Sequence, residues 1–150
     1  MTNPNQQNRA PQQIQAENAP NVVTGTFSIQ VQSIDVLFNL GATHSFISVK
    51  RVEVLRLVLT RKSSVLSMIL PNWKTVMCEE LYEDCPIRMY EHEFLTDLYR
   101  FELANFGVIL GMDWLANHQT QIECPRSKIT LQGPNGGKVV HKRKGPRASC

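Results

Sequence analysis

The sequence predicts an all-β domain, a closed barrel or a sandwich carrying one or two short helices. Three observations lead there. Apolar and polar residues alternate where the folded part begins, many short β-rich runs follow with turn residues between them, and only two segments have helical character.

Residues Met1 to Pro20 are rich in Asn, Gln, Pro and Ala and hold almost no large apolar side chains. A segment with so little to bury cannot offset its ordering entropy, so it reads as a disordered linker. The pattern changes at Asn21. Val23, Phe27, Ile29 and Val31 occupy odd positions, with Thr24, Thr26, Ser28, Gln30 and Gln32 between them, which is the period of a strand with one buried face. After Gln32-Ser33 the phase flips to Ile34, Val36 and Phe38, with Leu37 filling the other face, as it does across a hairpin turn. Asn39 to Thr43 forms a tight turn containing Gly41, and a short helix is expected around Val49 to Leu55. Val65 to Leu70, Thr75 to Tyr82, Pro86 to Met89 and Phe94 to Phe101 read as strands, with Pro71-Asn72 a turn signal after the first. Phe106 to Leu110 is a compact apolar strand ending at Gly111, and Met112 to Asn117 suits one or two helical turns. Gln119 to Cys124 and Lys128 to Leu131 form a hairpin around Pro125-Arg126, Gly133 to Gly137 is a loop, and Lys138 to Val140 adds a short strand. The folded domain is therefore placed at 21–140, with 141–150 a basic, disordered tail. No internal repeat is present.

A chain of 150 residues is one domain by the usual prior, and its 42% apolar content is ordinary for a globular protein. The formal charge of +3 is too small to imply nucleic-acid binding over the whole surface. Much of the excess sits in one run, His141, Lys142, Arg143, Lys144 and Arg147, which reads as a solvated tail capable of weak nucleic-acid contact. Cys78, Cys85, Cys124 and Cys150 show no C-x-x-C spacing, and His118 and Cys124 are too isolated to complete a metal site, so no metal and no cofactor is expected. The start of the chain lacks the apolar segment of a signal peptide, and the apolar runs fall short of the ~18 residues a membrane span needs. A soluble, cytoplasmic protein with no membrane partner is the expectation.

Two segments carry a resemblance. The first is Val36-Leu37-Phe38-Asn39-Leu40-Gly41-Ala42-Thr43-His44-Ser45-Phe46-Ile47-Ser48, and the second is Phe106-Gly107-Val108-Ile109-Leu110-Gly111-Met112-Asp113-Trp114-Leu115. Together they resemble the two signature elements of retropepsin-like aspartic proteases in the polyproteins of gypsy-type LTR retrotransposons. The first is similar to the apolar strand that enters an Asp-Ser/Thr-Gly-Ala active-site turn. The second is similar to the strand whose closing glycine, here Gly111, packs beside that turn. Cys85-Pro86, the stretch from Leu98 to Glu102 and Ile122-Glu123-Cys124 match loosely, so the likeness covers roughly Val22 to Val140. It implies a small closed β-barrel of retropepsin type. It also implies a homodimer in which each protomer supplies one turn, and peptide or polyprotein segments as substrates. Location would be the cytoplasm, including retrotransposon particles. The chemistry needs two close carboxylates sharing a proton, one activating water and the other donating to the substrate carbonyl.

The sequence departs from that pattern at the place where the chemistry would occur. Asn39 stands at the aspartate position, Leu40 at the Ser/Thr position, and Gly41 and Ala42 keep the rest of the turn. An amide does not ionise near neutral pH, so a homodimer would hold no general base. Leu40 removes a hydroxyl that in similar proteins bonds across the dimer. A flap tip is expected at Pro71, Asn72 and Trp73, but no glycine lies between Leu57 and Arg100, which leaves Asn72 to supply a left-handed residue. Stand-in acids are poorly placed: Asp35 is on the Asn39 face of the strand but ~13 Å along it, and Asp113 is assigned to capping the helix from Met112. His44 lies beside the turn with no convincing nucleophile and acid around it. Three readings follow: an inactive protease domain, a dimerisation or peptide-binding module that keeps the groove, and an active aspartic endopeptidase.

Overall fold

The computed structural model describes residues 22–59, 66–69, 73, 75–123 and 128–142. In chain order the first strands are β1 (Val22–Ile29), β2 (Gln32–Asn39) and β3 (Phe46–Ser48), followed by helix α1 (Val49–Leu55). Next come β4 (Leu66–Ile69), β5 (Thr75–Cys78), β6 (Leu81–Met89), β7 (His92–Phe101) and β8 (Val108–Leu110). Helix α2 (Met112–Asn117) precedes β9 (Gln121–Glu123), β10 (Lys128–Gln132) and β11 (Lys138–Lys142). Six strands close into a barrel in the order β1-β2-β8-β3-β7-β6, as expected for the fold class.

Alternation on β1 and β2 builds the first wall. Their antiparallel register, from Val22 opposite Asn39 to Ile29 opposite Gln32, sends Val23, Phe27 and Ile29 inward beside Ile34, Val36 and Phe38. Each such side chain contributes roughly 1.5–3 kcal/mol on leaving water. The sequence reading put the turn at Gln32-Ser33 and Val31 on the buried face. The chain instead turns at Gln30 (φ 52°) and Val31 (φ 60°), and Val31 is fully exposed. A two-residue loop with both residues left-handed matches the twist of the strands it joins, and the core phase of Ile34, Val36 and Phe38 fixes the register around it.

Strand β8 lies between β2 and β3. It runs parallel to β2, with Phe38 opposite Leu110, and antiparallel to β3, with Phe46 opposite Ile109. β3 continues parallel to β7, and β6 pairs antiparallel with β7. Ser28 opposite Arg88 closes the ring. The stretches read as Thr75 to Tyr82 and Pro86 to Met89 divide differently: β5 ends at Cys78, and β6 runs unbroken from Leu81 through an irregularity between Tyr82 and Cys85. Asp84, left-handed at φ 57°, sits in that bulge and its N–H donates to Asp97 Oδ1 at 2.9 Å. A bulge breaks the two-residue period, which is why the strand looked like two.

Both helices occur where the sequence placed them. Ser48 caps α1, its hydroxyl accepting from the Arg51 N–H at 3.1 Å, and left-handed Arg56 ends it. Outside the barrel, β4 and β5 form a hairpin whose Leu66, Met68 and Cys78 pack on Phe46. A three-stranded sheet, β11-β10-β9, delivers Ile129, Leu131 and Val139 to the main core. Strand β11 runs two residues past Val140, so His141 and Lys142 belong to the sheet. The expected last hairpin is present as the antiparallel pair β9–β10, Glu123 opposite Lys128, while its turn at Pro125-Arg126 lies outside the described residues, as do the linker at 1–20 and the rest of the basic tail.

Candidate active site

The corner where β2 ends is built from backbone carbonyls and one buried hydroxyl. Asn39 is buried, and its Oδ1 accepts the Gly41 N–H at 2.8 Å, a side-chain turn of the kind short amides form readily. The Ala42 N–H closes on the Asn39 carbonyl at 3.3 Å. Ala42 is buried with Val22, Leu37, Phe106 and Ile109, while half-buried Leu40 packs against the main core. Gly41 is exposed, and a Cβ there would stand 3.1 Å from Asn39 Oδ1.

The start of α2 holds this loop. A helix leaves its first N–H groups unsatisfied, and here Met112 donates to the Ala42 carbonyl at 2.8 Å and Asp113 to the Thr43 carbonyl at 3.2 Å. Ser45, fully buried, donates to Asp113 Oδ1 at 2.7 Å and accepts the Gly111 N–H at 3.0 Å. Gly111 is the residue that permits this approach: a Cβ would collide with the His44 carbonyl and lie 2.7 Å from that of Ala42. Gly111 therefore packs beside the Asn39 turn. The helix-capping residue is Gly111 rather than Asp113. Asp113 sits one position into the first turn, where its carboxylate accepts from Trp114 N–H at 2.7 Å as well as from Ser45.

Other candidate groups are engaged elsewhere. Asp35 is exposed and accepts from Thr26 Oγ1 at 2.9 Å. His44 Nδ1 is 2.9 Å from Thr43 Oγ1 and its ring meets Tyr99 edge-on at 6.0 Å. Because the Ser45 hydroxyl is spent on Asp113 rather than on His44, the three do not form a nucleophile–base–acid chain. Burial pushes both described thiols, Cys78 and Cys85, up to about 11, so they stay protonated and unreactive near neutral pH. Among the described residues no cluster of His, Cys, Asp and Glu could hold a metal ion, and no helix is long and apolar enough to cross a membrane.

In sequence, the segment expected to form a flap, Pro71 to Trp73, falls between β4 and β5. Pro71 and Asn72 lie outside the described residues. Trp73 is exposed and itself left-handed at φ 66°, a conformation the sequence reading had assigned to Asn72.

One feature was missed. A groove of about 860 Å³ runs across β1, lined by Thr24, Phe27, Asp35, Arg88, Tyr90 and His141 among others, and is separate from the Asn39 turn. His141 Nε2 donates to the Thr24 carbonyl at 2.9 Å and Nδ1 stands 2.7 Å from the Tyr90 hydroxyl. Burial among rings holds its pKa below the usual histidine value. The signal available was the two-residue spacing of Val139 and His141, hidden by the basic run that follows.

Against known proteins, the family model described as retroviral aspartyl protease matches residues 8–136. The chain belongs to that family. No curated protein matches it. Among solved structures, the retroviral protease-like domain of Ddi1 from Leishmania major shares the fold, with a TM-score of 0.60 and 14% identity over 84% of this chain and 97% of that one. Family membership and barrel agree: β2, the turn after it and the β8–Gly111 strand beside it are the elements on which the sequence resemblance rested.

Proposed function

We propose that this chain is the protease domain of a gypsy-type retrotransposon polyprotein, built to work as a homodimer on polyprotein segments, and that it no longer hydrolyses peptides. The observation that carries the reading is the amide at residue 39, buried at the end of β2 in a turn otherwise held in place. The family places its reacting aspartate at this position. In the ionised form that aspartate takes a proton from water while its protonated twin donates to the scissile carbonyl. With Asn39 in both protomers neither proton transfer has a carrier, and losing acid–base help costs on the order of 10²–10⁴ in rate. Leu40 adds a second departure: it packs inward on the core and brings no hydroxyl to a partner. Cytoplasmic particles of the element are the location this reading implies.

The turn and the β4–β5 hairpin both persist, and this favours a second reading, a dimerising or peptide-binding module that keeps its groove without catalysis. A peptidase assay on the native chain and on Asn39→Asp tests the first reading. The native chain is expected to show no turnover. Turnover blocked by a pepstatin-like inhibitor would overturn the claim of inactivity. Sedimentation at tens of micromolar tests the pairing, because a strict monomer cannot build a composite groove.

A further inference from the structure

The Asn39 turn keeps its shape without a charge. Its side-chain oxygen is committed to the Gly41 N–H, Ala42 closes on its carbonyl, and the Ser45 bridge ties the loop to Gly111 and Asp113. None of these contacts requires residue 39 to be ionised. With Oδ1 so committed, the other branch of the amide is Nδ2, which has two donors and no acceptor. A carboxylate at the same place would present an acceptor there.

Three pairings are then distinct when two such turns meet. Two carboxylates repel unless the pair takes up a proton. Two amides, each with Oδ1 already committed, bring donor against donor and gain no hydrogen bond. An amide opposite a carboxylate forms a charge-assisted N–H···O⁻ bond with no second carboxylate facing it, the strongest of the three near neutral pH. We infer that the preferred partner of this chain is not a second copy of itself but a chain of the same fold carrying a carboxylate where Asn39 stands, and that the mixed pair withdraws that chain from catalysis. The inference rests on the reading that the turns of two chains meet. Withdrawal follows because one carboxyl cannot at once take a proton from water and give one to the substrate.

The pH dependence has a definite sign. The doubly carboxylic pair binds more protons than its separated chains, so it weakens as pH rises; the mixed pair needs the ionised form and weakens as pH falls. Charged and titratable groups around the turn are Asp113 on α2, bonded to Ser45; His44 in the loop, bonded to Thr43; and Asp35 on β2, bonded to Thr26. The neighbouring β1, β3 and β8 contribute Val22, Phe46 to Ser48 and Val108 to Leu110, none of which carries a charge. Those three groups are common to all pairings and cancel from the exchange ratio.

The test mixes the native chain with isotope-labelled Asn39→Asp and counts pairs by native mass spectrometry between pH 4 and pH 8. At pH 8 the mixed pair is expected at about tenfold over the statistical exchange ratio, the scale of one charged hydrogen bond, relaxing toward that ratio at pH 4. Asn39→Ala in place of the native chain relieves repulsion without offering a donor, and a smaller excess is expected. Dimers that mix statistically at every pH, or an excess as large with Asn39→Ala, would overturn the inference and leave pairing intact. Monomers in every mixture would instead remove the pairing on which it stands.

Discussion

Strand β2 ends in two turns of opposite character. At its start, Gln30 and Val31 both adopt left-handed backbone, and a β-branched residue with no contact to bury occupies one of those positions. At its end, the Asn39 loop is tied by the Gly41 and Ala42 N–H groups, by Met112 and Asp113, and by the Ser45 bridge, with Gly111 fitted against its carbonyls. The first turn is imposed by the register of the strands it joins. The second is specified by partners from elsewhere in the chain. Local sequence is poorly suited to the first and would not suffice for the second, so the barrel tolerates strain where nothing else depends on the turn and removes it where a side chain must be aimed.

The largest effect that would break this contrast is at Gly111. A methyl group there meets backbone rather than a side chain that could swing away, so Gly111→Ala is expected to destabilise by about 3 kcal/mol or more. Thermal unfolding followed by circular dichroism would read this as a fall of roughly 10 °C. An unchanged midpoint would mean that the loop and α2 are not in contact. Ser45→Ala ranks next. It leaves the Gly111 N–H and Asp113 carboxylate short of a buried partner, at about 1–3 kcal/mol. Urea unfolding should show a lower midpoint with an unchanged slope. An unchanged midpoint would place Ser45 outside the framework of the corner.

The opposite sign is expected at the other end of the strand. Replacing Gln30-Val31 by Asn-Gly supplies the residues such a two-residue loop favours, and should stabilise by about 1–2 kcal/mol. Chemical denaturation of the double variant measures it. A destabilised variant would show that the loop takes another conformation and that Val31 makes contacts not seen here.

How far the sequence could be read follows the same division. Helix α1 was legible because its cap, Ser48, and its apolar face are local, and the β1–β2 hairpin was legible from periodicity alone. The exact turn was not, because neither Gln30 nor Val31 is a residue that signals left-handed backbone; register decided it. Strand β6 looked like two pieces because the bulge at Asp84 interrupts alternation. At the candidate site, Asn39 and Gly111 stood out through their motifs. The Ser45 bridge to Asp113 did not, since it spans 68 positions and exists only once β3 and β8 are neighbours. Asp113 looked like a helix cap because an acid near a helix start usually is one; the loop carbonyls occupy the role instead.

The smallest effect concerns acid, and it separates the two sides of the barrel. His141 joins β11 to β1 through the Thr24 carbonyl and to the β6–β7 turn through Tyr90, and burial holds its pKa below the ordinary 6.5. His118, its ring tilted against Trp114 with centroids 4.3 Å apart, is lowered for the same reason. A histidine depressed on folding binds fewer protons in the native state than in the unfolded one. Its contribution is therefore complete above about pH 6.5 and is lost progressively as pH falls toward the folded value. The corner at Asn39 is tied mainly by backbone, an amide and a serine, and its titratable side chains are Asp113, bonded to Ser45, and His44, bonded to Thr43. Hydrogen exchange between pH 7 and pH 5, corrected for intrinsic rates, should thus show protection falling in β1 and β11 before it falls in β8 and the loop after Asn39. His141→Gln keeps a donor for the Thr24 carbonyl and removes the titration, so it should flatten the acid loss in β1. Equal softening of both regions in the native chain would mean that His141 is not what ties β11 to the barrel.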